Sequence, residues 1–227
     1  MATFSSTQDR KMSATPLLGF DFGTTKSAVS YSIAGKVELV PLSKARTNRY
    51  ESAAVVSYDT DGRFIHGEAL LKLVDSGKVE AVNVLRHFKL LMLHARDPCA
   101  ECVAFERLSQ KWGKSLDDII FDYFVALLTQ AISHLRKTVY VNIDFTTFDV
   151  VLTTPSQWPP AANRLLTRAA KHAGARTSVL YPETLASALC IVQEEILDRP
   201  DVVELPFKVI SSHFSGTEAD WRDRTVI

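Results

Sequence analysis

Residues 17–33 read LLGFDFGTTKSAVSYSI: an apolar run ends in Asp21, Phe22 and Gly23, bends through Thr24 and Thr25, and resumes through Ala28, Val29, Tyr31 and Ile33. Two strand-like segments around a polar, glycine-bearing bend predict a β-hairpin. The bend also carries chemistry. A glycine lets backbone approach an anion closely, successive N–H groups in a tight turn form a concavity for phosphate oxygens, and threonine hydroxyls add donors. Asp21 supplies a carboxylate suited to the hydration shell of Mg²⁺, an ion that usually keeps several of its waters. A hairpin turn filled by its own threonines accounts for the same residues, and both readings stand at this point.

Outward from the hairpin, Val37 to Leu42 and Ala53 to Tyr58 read as further strands, and Asp61-Gly62 turns the chain toward Phe64 and Ile65. The opening third is therefore expected to be antiparallel β. From Glu68 the period changes: Leu70, Leu71 and Val74, then Val84, Leu85, Phe88 and Leu91, recur at helical spacing. Residues 93–114 are mixed in polarity and read as a connection with one short ordered piece. Ser115, three residues before Asp118, opens a helix whose apolar stripe runs through Ile119, Ile120, Tyr123, Leu127, Leu128, Ala131 and Leu135. Phe148 to Thr153 is a β-branched run expected of a strand buried on both faces, and Pro159 and Pro160 start a helix that Gly174 stops. Ser178 to Tyr181 is a short strand, and Glu183 to Leu197 a last amphipathic helix. Val202-Val203 and Phe207 to Ile210 hold the apolar content for one more strand before the pattern fades.

The 227 residues carry 26 basic and 26 acidic side chains, a formal net charge of zero, with 46% apolar and 23% charged content. Such a chain has no field that gathers polyanions, so neither nucleic acid nor an anionic membrane is the expected partner. Cys99, Cys102 and Cys190 are three in number, which argues against a disulfide framework and for a reducing, cytoplasmic setting. Residues 1–15 are polar, lack a secretory apolar region, and are expected to be a disordered tail. Cys99 and Cys102 have metal-ligand spacing but no second cysteine pair. Arg164, Arg168, Lys171 and His172 share one helical face, a solvated surface or a docking patch.

The stretch LLGFDFGTTKSAVSYS resembles the first phosphate motif of the actin-like ATPase superfamily, especially the 70-kDa heat-shock chaperones in their divergent branch. Three further stretches are similar in the same order: GKSLDDIIFDYFVALLTQAISHLRKTV to a long helix, VLTTPSQWPPAANRLLTRAAKHAGA to a strand, proline and helix, and TSVLYPETLASALCIVQ to the next strand and glutamate-bearing helix start. The resemblance implies roles for particular residues. Asp21, Gly23, Thr24 and Thr25 would hold the phosphates and, through water, Mg²⁺. Lys26, where the family has an aromatic or small residue, would aid ATP binding or face solvent. Glu183 would orient the Mg²⁺-bound or attacking water, and Pro155 would couple lobes. Here Pro182 precedes the glutamate and Thr184 follows it, where the family places its proline after. Lys89 matches the lysine sent toward the γ-phosphate; a surface lysine on an amphipathic helix is the other reading.

The fold class so implied is an α/β, actin-like (RNase H-like) ATPase lobe, a mixed sheet flanked by helices. It would span 16–205, with a peripheral α+β subdomain at about 36–114 and an irregular tail at 206–227. The second phosphate loop and adenosine motif of the family do not appear, and the Ser-Gly-Thr within HFSGTEAD is read as coincidence. The expected function is an ATP-binding, chaperone-like ATPase relative of the first lobe only, with ATP or ADP and Mg²⁺ as ligands, weak or no hydrolysis, and protein partners or clients. A non-catalytic scaffold is the alternative, and a sugar kinase of the same superfamily the third reading.

Overall fold

In the computed structural model β1 (Leu17–Phe22) and β2 (Lys26–Ile33) pair antiparallel around the Gly23–Thr25 bend, with Asp21 opposite Ala28 and Phe22 opposite Ser27. β3 (Lys36–Leu39) and β4 (Glu51–Ala53) both pair antiparallel with β2. The described residues are 15–33, 36–44, 49–93, 100–138 and 148–192. The 1–14 stretch, Cys99, positions 193–197 of the expected last helix and everything after them, including the possible strand at 207–210 and the 206–227 tail, lie outside them. By compactness the chain divides into Met1–Thr184 and Leu185–Ile227.

A second, smaller antiparallel sheet follows, with β5 (Val55–Tyr58) between β6 (Phe64–His66) and β7 (Leu85–Arg86). Between β6 and β7 runs α1 (Gly67–Asp75), whose Leu70 packs with Val55 and Val84 in a small core of its own. Residues Phe88–Met92 form a 3-10 turn, and α2 (Ala100–Trp112) leads into α3 (Leu116–Thr138). β8 (Phe148–Thr154) then returns to lie parallel to β1, α4 (Pro160–His172) crosses over, and β9 (Ala175–Pro182) lies parallel to β8. The main sheet runs β3-β2-β1-β8-β9, with β4 also on β2. α5 (Glu183–Val192) begins directly at the end of β9. The result is an α/β architecture, a mixed sheet flanked by helices.

The main core lies between α3 and one face of this sheet. Leu18, Phe20 and Phe22 alternate inward from β1 and Phe148, Val150, Leu152 and Thr154 from β8, as a period of two demands. They meet the stripe of α3: the Phe20 and Phe124 rings pack edge to face at 4.6 Å, and Phe22 lies 5.6 Å from Phe124 and 5.9 Å from Tyr123. α3 is long and apolar enough to cross a membrane by length and composition, yet its buried residues belong to this core. Ser115 and Asp118 form the expected capping box: the Ser115 hydroxyl accepts from the Asp118 N–H at 3.2 Å, while the Asp118 carboxylate accepts from the Ser115 N–H at 2.8 Å.

Three local expectations are corrected. The helical spacing at Val84–Leu91 resolves into β7 and a 3-10 turn, because Leu85 and Arg86 pair with Val56 and Val55, and His87 then takes a left-handed φ of 52°. The connection at 93–114 contains the 13-residue α2; Leu108 is the one fully buried residue of that helix, so its apolar signal is sparse. β8 buries one face rather than two, its Asp149, Val151 and Thr153 being only half-buried.

Candidate functional site at the carboxyl ends of the parallel strands

β1, β8 and β9 run in the same direction, with Phe20 beside Leu152 and Thr154 beside Pro182, so all three release the chain at one edge of the sheet. Ligands of open α/β sheets bind beyond such carboxyl ends, where loops present side chains and backbone without competing strand pairing. The three ends deliver Asp21-Phe22-Gly23, Thr154-Pro155 and Pro182-Glu183. Sequence positions far apart are thus gathered by register alone.

Asp21 is exposed, and its Oδ1 accepts a hydrogen bond from the Thr153 hydroxyl at 2.9 Å, which fixes the carboxylate while leaving its second oxygen without a hydrogen-bond partner among the described residues. Gly23 is required by space. A Cβ there would lie 2.1 Å from the Lys26 carbonyl oxygen, so no side chain fits inside the turn. The Ala54 N–H donates to the Thr25 carbonyl at 2.8 Å and ties the bend to the start of the small sheet. Thr24 is half-buried and Thr25 exposed. Lys26 turns to the neighbouring strand, where its Nζ meets the Glu51 carboxylate at 2.6 Å in an exposed ion pair.

The ammonium of the site comes from Lys89. It stands in the 3-10 turn after β7, is 6% exposed, and contacts the Glu183 carboxylate at 2.7 Å across 94 residues of sequence. Its Nζ also lies 5.2 Å from the Trp158 ring centroid and 5.7 Å from that of Phe22. A desolvated ammonium is tolerated because a carboxylate and two electron-rich ring faces replace its water. Glu183, the first residue of α5, is the more open partner, its side chain 38% exposed. Next to it the hydroxyls of Thr184 and Ser156 lie 2.9 Å apart, joining the loop after β8 to the end of β9.

Beneath these groups Tyr123 braces the arrangement. Its ring packs 5.0 Å from Phe88, the neighbour of Lys89, and 5.9 Å from Phe22, the neighbour of Gly23. Burial pushes its phenol up to about 12, an effect that the hydroxyls of Ser27 and Ser52 offset in part. The hydroxyl therefore stays neutral, and it is buried without a hydrogen-bond partner among the described residues, so Tyr123 acts through its ring packing.

Seven residues were expected at the site. Asp21, Gly23, Thr24 and Thr25 share one turn, Lys89 and Glu183 share an ion pair whose ammonium lies beside Phe22, and Lys26 belongs to a separate pair with Glu51. Pro155 follows the buried Thr154, and its carbonyl accepts from the Trp158 N–H at 3.2 Å. Sequence reasoning did not find Thr153 and Trp158. The first is signalled only by the strand register, the second by an aromatic residue three positions after the proline at a strand end. Among the described residues no group of three or more His, Cys, Asp or Glu side chains could hold a metal ion, and Cys102 sits half-buried on α2. The cationic face of α4 is partly a seam: Arg168 pairs with Asp117 at 2.7 Å, and its guanidinium and the His172 ring both pack on Phe121.

No protein-family model matches this chain, and no curated protein matches it.

Proposed function

We propose that this chain binds the phosphate end of a Mg²⁺-nucleotide, ATP in the first place, as the first lobe of an actin-like, heat-shock-70-like ATPase. The observation that carries the reading is the meeting of Lys89 and Glu183 at 2.7 Å, beside the Phe22 that leads into the Asp21–Thr25 turn. The residues suit such a ligand. The turn is tight enough that the Lys26 carbonyl fills the space a side chain at Gly23 would need, and no side-chain hydrogen bond engages Thr24 or Thr25 among the described residues. A single exposed carboxylate is appropriate for Mg²⁺ held through water, which needs no cluster of protein ligands.

In this reading the Gly23–Thr25 backbone and hydroxyls would cradle phosphate oxygens, Asp21 would hold hydrated Mg²⁺, and Lys89 would offset negative charge at the terminal phosphate. Bound Mg²⁺-nucleotide would supply a phosphoryl group open to in-line attack by water. Glu183 stands where a carboxylate orients such a water. A nucleotide held only by these strand-end residues would keep much of its surface in solvent, so weak affinity and slow or absent turnover are expected. A cytoplasmic, chaperone-related role with protein clients belongs to the same proposal.

A ligand that binds only the folded chain raises its melting temperature as concentration increases. Mg²⁺-ATP is expected to raise the Tm in this way, and to do so less in Lys89→Met. A Tm that does not move at millimolar Mg²⁺-ATP supports the scaffold reading, and phosphorylation of a sugar by the purified chain supports the kinase reading.

A further inference from the structure

A half-open pocket of about 690 Å³ lies between the start of α1, residues 41–44 after β3, and Gln130 of α3, a volume that suits a small molecule. Gly67, Glu68 and Ala69, the first turn of α1, all line it. The first N–H groups of a helix have no intrahelical acceptor, and no side chain caps this one. Gly67 takes a left-handed φ of 60°, and a Cβ there would lie 2.5 Å from the Ser52 Oγ, so the glycine brings that hydroxyl against the helix start. Ser52 is buried and lines the pocket too. Next to it stand Tyr123 and Ser27, 0% and 1% exposed, whose hydroxyls have no partner among the described residues; nor has the buried Nδ1 of His66 in the pocket wall. Ser27 and Ser52 both act on the ionisation of the Tyr123 phenol, so the three hydroxyls form one cluster. Folded chains rarely leave several buried polar atoms unpaired in one place.

We propose that this pocket binds a small organic carboxylate, with its charged end at the N-terminus of α1 beside Ser52 and its apolar body against Leu42, Phe64 and Ile65. The positive end of the helix and the ammonium groups of Lys44 and Lys72 face a single acid, Glu68, so the balance favours an anion. Both lysines are exposed and make no ion pair among the described residues. The apolar walls select for an organic body, since a bare inorganic anion would leave them in water. The hydroxyl cluster completes the polar end: Ser52 donates to the carboxylate and accepts from Tyr123, which gains the acceptor it lacks. Burial keeps the His66 imidazole uncharged at neutral pH, so the helix and the lysines supply the positive potential. None of the residues lining the pocket belongs to the strand-end site, and its occupancy does not depend on a nucleotide.

Nuclear magnetic resonance titration of the nitrogen-labelled full chain tests this, with benzoate as the probe, benzamide as its neutral counterpart and inorganic phosphate as a purely polar anion. Benzoate is expected to move the Gly67, Glu68 and Ala69 amide signals saturably with a Kd of about 1 mM, the scale for so few atoms. Benzamide and phosphate should each bind about tenfold more weakly, the first for want of charge and the second for want of an apolar body. Lys72→Met, at an exposed side chain, is expected to weaken benzoate about threefold, and Ser52→Ala about tenfold. Tyr123→Phe should weaken benzoate about threefold without lowering the urea midpoint of the free chain, since an unpartnered buried hydroxyl adds no stability. Absence of saturable shifts at the α1 amides overturns the site. Benzamide binding as tightly as benzoate overturns the need for an anion, and phosphate doing so overturns the organic body. Unchanged benzoate affinity in both Lys72→Met and Ser52→Ala overturns the assignment of these groups to the ligand.

Discussion

Gly23 is the residue at which the physical demand is sharpest, since a methyl group at its Cα would collide with backbone and not with a movable side chain. Gly23→Ala is expected to destabilise the chain by about 1–3 kcal/mol, the usual cost of forcing a group into filled space, read as a lower urea midpoint at constant slope. A second residue-scale prediction concerns His66, whose imidazole burial holds below the usual histidine range. Because the folded value is lowered, the unfolded chain binds the extra proton first. Stability from this group is complete above about pH 6.5 and is lost as pH falls from there through the folded value. His66→Phe, beside Phe64 and Tyr123, should remove that part of the slope between urea midpoints measured at pH 5.5 and 7.5. The identities of Asp21, Gly23 and the threonines were legible because their chemistry is local to five consecutive positions. The orientation of Lys26 was not, because it depends on Glu51 of a strand 25 residues away.

At the scale of elements, the chain announced its strongest pieces. α3 combines a capping box with an unbroken apolar stripe, and the hairpin combines two strand-like segments with a glycine bend. α2 was obscured because it packs on few residues, and the β7 segment because Leu85 and Phe88 mimic a helical period while β5 supplies the actual partner. The cap of α3 is testable. The Ser115 hydroxyl and N–H hold the Asp118 carboxyl below the usual carboxylate range, so the stabilisation they give is complete above about pH 4 and disappears as pH falls through the lowered folded value. Ser115→Ala is expected to cost about 1 kcal/mol at neutral pH, and the gap between variant and parent in urea unfolding should narrow in acid.

Across the whole molecule, the parallel trio β1, β8 and β9 converts three remote sequence segments into one sheet edge, while the 3-10 turn after β7 contributes Lys89 from outside that trio. The α/β class was legible from alternating strand and helix patterns. The closure of Lys89 onto Glu183 was not, since it depends on how the 3-10 turn after β7 approaches the end of β9, a relation that no periodicity records. On the proposed function, this edge would hold a hydrated divalent cation and the phosphates it accompanies. The most direct test is calorimetric titration of Mg²⁺-ATP into the parent chain and into Asp21→Asn, with circular dichroism showing both folded. Measurable heat is expected with the parent and at least tenfold weaker binding in the variant, about 1.4 kcal/mol; equal affinity in the two proteins would rule out Asp21 as the anchor of the cation.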